Sequence, residues 1–421
     1  MKVTCAGGGP AGLYLAILLK LRQPDPDAID VTVHEKHPAG STYGWGVTYW
    51  PDMLDTLRAH DLPSARAIEA RSVRWRDGVA HVGDRTTVHH GDEGFAIGRH
   101  SLLAVLGERA TELGVRVTYA SAYGPPHAST HDLAADADLV VAADGAHSTL
   151  RDRHADHFGT RVTEGRNRFV WLGTTKVFRS FTFAFVETGH GWVWCYAYGF
   201  DGEHSTFIVE CAPATWRGLG LDTMPRTAAL GLLTRLFAEP LDGHPLLGRT
   251  DLDGPAQWRT FPTVTNRVWS HGNLVLMGDA AHTTHYSTGA GTTAALRDAM
   301  ALAEALTRTS PPGERSSSRP WDLKAALADY ERTRKRELLP LQSAARHSAA
   351  WYENVTRYIG LEPERMFALL GQRHSPLLPY VPPQLYYRID RAVDRSQSLR
   401  ALKRRVGPRL ARLLQRNIAS G

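Results

Sequence analysis

The chain has 421 residues, with 49 Lys or Arg against 43 Asp or Glu, a formal net charge of +6 and 43% hydrophobic residues. That length supports a large core and fits two intimately joined domains. No apolar run reaches the ~18–20 residues that a membrane span needs, and Cys5, Cys195 and Cys211 are too few and too scattered for a disulfide framework or a zinc site. The N-terminus is strand-forming from Lys2 and lacks a secretion signal, so a cytoplasmic protein with buried free thiols is expected.

Residues 2–6 read as a short strand. Gly7-Gly8-Gly9-Pro10-Ala11-Gly12 follows and opens a helix through Leu13-Tyr14-Leu15-Ala16-Ile17-Leu18-Leu19, too apolar to be exposed. In such a unit Gly7 permits the tight turn, Gly9 lets the backbone approach a pyrophosphate and Gly12 lets the helix pack closely on the strand. The helix N-terminus and its dipole favour phosphate. A second strand, 30–34, ends at Glu35. This acid lies 23 residues past Gly12, close to the ~20 expected for one that holds a ribose hydroxyl.

A loop rich in Gly and aromatics, including Gly40 and Gly44-Trp45-Gly46, leads to a short helix over 53–60. Residues 72–90 suggest short strands. Arg99 precedes a helix over 101–113, where Leu102, Leu103, Leu106 and Leu113 fall on a 3.6 period. Gly114 stops it, and a strand is expected over 115–119. Leu139-Val140-Val141-Ala142-Ala143 has the continuous apolar character of a buried parallel strand and ends at Asp144-Gly145.

Between about 165 and 265 strand-like runs follow one another at 168–178, 181–187, 191–199 and 204–211, which implies an antiparallel sheet and a second domain. Over 191–198 large aromatics alternate with small residues, placing Trp192, Trp194, Tyr196 and Tyr198 on one strand face. That face is either a wall of an aromatic-binding pocket or sheet packing beneath helices. A helix over 222–238 interrupts the sheet, and 258–261 resumes it. Strand 274–277 then ends at Gly278-Asp279-Ala280-Ala281-His282. The loop to Gly289 and Gly291 opens a helix over 292–306. A serine-rich linker at 310–320 precedes a long helix over 322–358.

Three glycine-bearing motifs, each ending a predicted strand, imply one FAD contacted by three separate parts of the chain. Taken together, Gly7–Gly12, Glu35, Arg99, Asp144-Gly145 and Gly278-Asp279 resemble the single-component FAD aromatic hydroxylases, which have the para-hydroxybenzoate hydroxylase fold. Tyr43-Gly44-Trp45-Gly46-Val47 is similar to salicyloyl-CoA 5-hydroxylases and to the flavin half of anthraniloyl-CoA monooxygenases. So are the run from Ser205 to Glu210 with Thr215-Trp216-Arg217, and the run from Trp351 to Val355 with Tyr358 to Pro363. Violacein-type tryptophan hydroxylases share parts of this pattern. The resemblance covers roughly residues 1–370.

The resemblance implies an α/β fold: a discontinuous Rossmann-like FAD-binding domain (1–70, 95–165 and 266–310), an interleaved antiparallel β-sheet substrate domain (71–94 and 166–265) and a C-terminal helical region (321–421). It assigns FAD contacts to Gly7, Gly9, Pro10, Ala11, Gly12, Glu35, Lys36, Gly46, Val47, Arg99, Asp144, Asp279, Gly289, Gly291 and Thr292. It places His285 and Tyr286 at the catalytic centre, and the alternation over 191–198 offers Trp192, Trp194 and Tyr196 for the substrate pocket. A histidine suits the first role because its free pKa of about 6.5 lies near working pH. The implied reaction uses NADH or NADPH, bound transiently across the surface, and dioxygen, through a flavin C4a-hydroperoxide. The implied substrate is an electron-rich ring of salicyl or anthranil type, presented as a thioester of coenzyme A or a carrier protein. A free aromatic or indole such as tryptophan is the alternative, followed by a flavin-dependent halogenase and an FAD dehydrogenase or reductase. A homodimer is left open, and no metal is expected.

Residues 388–421 carry ten Lys or Arg against Asp390 and Asp394, so the positive charge belongs to this segment and the rest of the chain is slightly acidic. Leu399, Leu402, Val406, Leu410, Leu413 and Leu414 give it an amphipathic helical pattern. It lacks the aromatic interleaving of a nucleic-acid binder. It is therefore either a solvated face over an apolar seam or an attractor for a phosphorylated or acidic partner.

Overall fold

The computed structural model describes residues 1–23, 25, 28–41, 44–121, 137–248, 257–308 and 322–395. The basic segment from 396 onward, the linker at 309–321 and Tyr43 lie outside the described residues.

One sheet has six strands: β1 (Lys2–Ala6), β2 (Asp30–His34), β6 (Arg116–Thr118), β7 (Leu139–Ala142), β15 (Ser270–His271) and β16 (Leu274–Leu276). Their order is β15-β16-β7-β1-β2-β6, parallel except for the β15–β16 pair. Strands β7 and β16 are wholly apolar and buried, as expected of parallel strands covered by helices on both faces. Among them are Pro10–Arg22, whose residues from Pro10 to Leu19 are all buried, and Gly291–Arg308. Cys5 lies in this core, and burial pushes its thiol up to about 12.

The second sheet has eight strands in the order β13-β9-β12-β11-β10-β4-β5-β3. They are β3 (Gly46–Tyr49), β4 (Ser72–Val82), β5 (Arg85–Gly98), β9 (Arg168–Thr174), β10 (Phe181–Thr188), β11 (Gly191–Gly199), β12 (Ser205–Cys211) and β13 (Leu246–Leu247). Three features differ from expectation. Residues 72–98 form two long paired strands rather than several short ones. The β10–β4 pair is parallel within an otherwise antiparallel sheet. Residues 46–49, expected with the FAD-binding segments, hydrogen-bond to β5 as the edge strand of this sheet. A separate pair joins β8 (Arg161–Glu164) to β14 (Pro262–Thr265), and residues 258–261 add only a bridge from Arg259 to Phe169.

The alternation in β11 has a structural cause: both sheet faces are buried, but by different layers. Trp194, Tyr196, Phe183, Phe185 and Ile208 pack under Trp351, Tyr352, Met366 and Phe367 of the C-terminal helices. On the other face Val193, Cys195, Ala197 and Phe207 meet Leu233, Phe237 and Leu241. The long helix runs Leu323–Glu353 as one piece through Pro340, and Thr356–Ile359 is a separate turn.

A buried ionic network ties the layers together. Asp298 is fully buried; its Oδ2 accepts from Gly278 N at 2.9 Å and pairs with His282 Nε2 at 2.8 Å, while Oδ1 accepts from Arg334 Nε at 2.7 Å. Burial alone would raise the Asp298 carboxyl, but His282 and Arg334 outweigh it and hold it below the usual range. Removing one partner of a buried pair strands the other charge at a cost of about 3–5 kcal/mol. Arg334→Met should therefore lower the unfolding free energy by about that amount in urea titrations. A loss under about 1 kcal/mol would show that the network contributes little.

Candidate active site

A cavity of about 1130 Å³ is lined by residues of both large sheets, with Gly7, Gly9, Glu35, Lys36, Arg99, Asp144 and Asp279 among them. These positions span more than 270 residues of sequence, yet the topology brings them together. Strands β16, β7, β1 and β2 are adjacent and parallel, so the loops after them open on one edge.

Backbone geometry selects the first loop. Gly7 has φ +113°, and a Cβ there would lie 2.2 Å from the Ala143 carbonyl oxygen. A Cβ on Gly12 would lie 2.2 Å from the Gly7 carbonyl, whereas one on Gly9 would meet nothing within 4 Å. Gly9 therefore faces open space, at the N-terminus of the helix that begins with Pro10 and Ala11. Glu35 is fixed by two backbone donors, Gly8 N to Oε2 at 2.8 Å and His37 N to Oε1 at 2.9 Å. A carboxylate has about four acceptor positions, so lone pairs remain for a ribose hydroxyl.

The fit to FAD shows in polar atoms that the protein leaves unsatisfied. Arg99 Nε and Asp144 Oδ1 are buried and, among the described residues, have no hydrogen-bond partner. Asp144 Oδ2 accepts from Thr149 N at 2.9 Å, which orients the carboxylate. Burial works against the charge on Arg99, while Asp279 and then Glu35 support it. Asp279 opens onto the cavity but is otherwise enclosed; loss of bulk water raises its carboxyl, with His282 and Arg99 opposing. An unpartnered guanidinium N–H, free carboxylate acceptors and a helix N-terminus converge here, groups that can hold the phosphates and hydroxyls of a bound dinucleotide. His282 is taken up by Asp298 and is structural.

The expected contacts Gly46, Val47, Gly289, Gly291 and Thr292 lie outside the cavity lining. Gly46 N donates to Thr206 Oγ1 at 2.8 Å and its carbonyl accepts from Tyr198 OH at 2.9 Å, so Gly46 and Val47 join the FAD-binding part to the substrate sheet. Gly289 sits against Thr48, and Gly291 and Thr292 begin the next helix.

His285 and Tyr286 lie in the loop after the Gly-Asp motif. Tyr286 OH and Tyr196 OH each donate to Glu210 Oε2 at 2.6 Å, and Asn167 Nδ2 donates to Oε1 at 2.7 Å. Burial raises the Glu210 carboxyl, opposed by these donors. Both phenols are held well above their ordinary value by burial and by Glu210. In the sequence Glu210 stands only as the last residue of the Ser205–Glu210 motif. Its signal was an acid within Ser205–Cys211, a strand in which every residue is buried.

Trp192, Trp194 and Tyr196 share their sheet face with Phe169 and Trp171, which do line the cavity. Trp194 is 1% exposed, stacks on Tyr352 and donates to Tyr196 OH. The three sit behind the cavity wall, and the exposed aromatic surface is that of Phe169, Trp171, Trp258 and Phe261.

His285 corrects one expectation. Its Nδ1 accepts the Ser287 amide at 3.4 Å and pairs with Ser287 Oγ at 2.7 Å, which leaves the ring proton on Nε2. Burial and then Arg373 push its pKa down to about 3, so it is a neutral hydrogen-bonding group rather than one that titrates near neutrality.

Asp279→Ala should lower FAD occupancy and affinity, and Gly9→Trp should abolish binding by filling the open space; a purified Asp279→Ala protein with full flavin content would refute the assignment. The pH dependence follows from sign. The folded form of His285 binds fewer protons than the unfolded chain between about pH 6.5 and 3, so stability falls as pH drops through that window. His374, also pushed down to about 3 by burial, acts in the same direction. His285→Gln should make the decline in Tm between pH 7 and 5 shallower, and identical slopes would remove His285 from the account.

Residues 1–319 match the family described as FAD binding domain. The chain is 38% identical over 369 residues to a salicyloyl-CoA 5-hydroxylase of a Streptomyces species, covering 85% of this chain and 66% of that protein. It is 34% identical over 373 residues to a 3-hydroxy-4-methyl-anthranilyl-[aryl-carrier protein] 5-monooxygenase of Streptosporangium sibiricum, covering 89% and 94%. The fold is shared with 2-methyl-3-hydroxypyridine-5-carboxylic acid oxygenase at TM-score 0.61 and 20% identity, covering 85% of this chain and 92% of that one. Among the described residues no helix is long and apolar enough to cross a membrane. With three motifs converging on one cavity and relatives matching along most of the chain, this protein belongs to the FAD-binding-domain family, among the flavin-dependent aromatic monooxygenases.

Proposed function

We propose that the chain hydroxylates an electron-rich aromatic ring of salicyl or anthranil type, presented as a thioester of coenzyme A or a carrier protein, with NADH or NADPH as reductant. The observation that carries this reading is the juxtaposition of the FAD cavity with an aromatic wall, Phe169, Trp171 and Phe261, closed by the loop of His285 and Tyr286. Bound FAD supplies electron transfer from the nicotinamide and activation of dioxygen.

The chain's own residues do the remaining work. Arg99 and Asp279 hold the cofactor. Phe169 and Phe261 flank Tyr286, with ring centroids 4.5 and 5.7 Å away, and exclude water from the ring site. His285 Nε2–H donates to the hydroxyl or amino substituent of the substrate ring and sets its orientation. Glu210, through Tyr286, holds the loop against the sheet. The names of the two relatives support a thioester; each name describes that relative's own substrate.

The test is NAD(P)H consumption and product formation with salicylate, anthranilate, their coenzyme A thioesters and tryptophan under labelled dioxygen. Label in the product and a preference for a thioester are expected. Label arriving from water would overturn the monooxygenase reading, and a preference for tryptophan would overturn the substrate. His285→Ala should keep FAD while raising the fraction of NAD(P)H oxidised without product; unchanged coupling would leave His285 a loop residue.

A further inference from the structure

We propose that a chain of tyrosines and tryptophans leads one-electron oxidising equivalents away from the ring site, with Glu210 as the proton acceptor at its inner end. The chain serves dioxygen chemistry as such and is independent of which aromatic substrate is used. Five oxidisable rings follow one another. Tyr286 packs on Phe169 of the FAD cavity wall, with ring centroids 4.5 Å apart. Tyr196 lies 5.9 Å from Tyr286, Tyr352 lies 5.0 Å from Tyr196, and Trp351 lies 5.0 Å from Tyr352. Tyr358 stacks on Trp351 at 4.9 Å and 10°. Trp351 and Tyr358 line a second cavity, of about 440 Å³, in the C-terminal layer. The rings thus run from one cavity to another across the boundary between sheet and helices.

Packing alone does not account for these residue types. Tyr352 OH and Trp351 Nε1 are buried and, among the described residues, have no hydrogen-bond partner. A buried donor left unpaired costs stability, and phenylalanine would fill the same layer without that cost. An unsatisfied buried polar group calls for a reason, and a redox role is one. Phenol and indole give up an electron far more readily than a phenyl ring. A phenol does so only if its proton has a place to go, and Tyr286 OH and Tyr196 OH both donate to Glu210 Oε2 at 2.6 Å. Burial and Glu210 keep both phenols protonated at rest, so their protons move only on oxidation. Tyr352 OH has no acceptor, which makes its ring a bridge crossed in one step. Indole is oxidised without first losing a proton.

The oxidant is a hydroxyl radical derived from the peroxide of uncoupled turnover. It takes one electron from Tyr286 and becomes hydroxide, while the phenol proton passes to Glu210. Tyr196 returns an electron to Tyr286, which recovers its proton from Glu210 as Tyr196 gives up its own. Trp351 then supplies an electron to Tyr196 across Tyr352, and Glu210 returns the proton. Tyr358 reduces the indole and releases its proton to water in the second cavity. A thiol in solution restores Tyr358 with one hydrogen atom, so the net change is hydroxyl radical plus thiol to water plus thiyl radical.

The test uses the FAD-loaded full chain without aromatic substrate. Blue light makes the bound flavin a one-electron oxidant at the ring site, and a nitroso spin trap with peptide mass mapping locates the radicals. Adducts are expected at Trp351 and Tyr358. Trp351→Phe should confine them to Tyr286, Tyr196 and Tyr352, and Glu210→Gln should lower the outer adducts several-fold. Tyr358→Phe removes only a hydroxyl and guards against misfolding at Trp351; it should move the outermost adduct to Trp351. In the dark, during NAD(P)H oxidation with added hydrogen peroxide, Trp351→Phe should be inactivated several-fold faster from an unchanged initial rate. Adducts that never pass Tyr196 in the unaltered chain, or an adduct pattern unchanged by both outer substitutions, would overturn the proposal. Equal inactivation rates would overturn it as well, because equivalents kept at the ring site must damage it. Outer adducts in a chain that hydroxylates no aryl compound would sustain this route and refute the proposed function.

Discussion

The buried carboxylate of Asp298 is the interaction on which the site's geometry rests. It accepts from the Gly278 amide, from His282 and from Arg334. These belong to three different parts: the turn that carries Asp279, the loop that leads to His285, and the long helix that carries Ser348 and Trp351. A buried anion with well-placed donors tolerates little displacement, because each lost donor leaves charge without solvent. The floor of the FAD cavity and the C-terminal layer therefore hold a common position.

The substrate sheet depends on that position. Its aromatic face is too large to bury against a single element, and the C-terminal helices cover the part that the FAD cavity does not. Glu210 lies at the boundary between the two parts. Two phenols and an amide bind its carboxyl, and among the described residues no cation does. Tyr286 reaches it from the Gly-Asp loop, so the group that closes the ring site also seals the boundary between the sheets.

The same boundary sets the electrostatics of the loop. Arg373 hydrogen-bonds the Ser287 carbonyl and, with burial, keeps His285 neutral. A neutral imidazole has one defined donor, which suits orientation of a ring oxygen better than proton exchange with solvent.

Much of this could be read locally. The turn at Gly7, the packing of Gly12 and the acid at Glu35 follow from spacing over a few dozen residues. So do the apolar strands ending at Asp144 and Asp279, and the two-residue alternation in β11. These patterns arise from backbone sterics and periodicity, which depend only on neighbouring residues. Pairing and environment were not legible in the same way. Residues 46–49 join the larger sheet because Gly46 finds Thr206 and Tyr198, far along the chain. Strands β4 and β10 run parallel although their sequences carry no mark of direction. Glu210 is a polar residue in a strand until Tyr196, Tyr286 and Asn167 surround it. His285 keeps an ordinary histidine pKa until packing removes its water, with Arg373 of the C-terminal layer adding to the shift. The sequence by itself determined the cofactor motifs and the division into strands and helices. Only the tertiary structure decided which charges lose their water and which partners replace it, because desolvation is a property of packed surroundings.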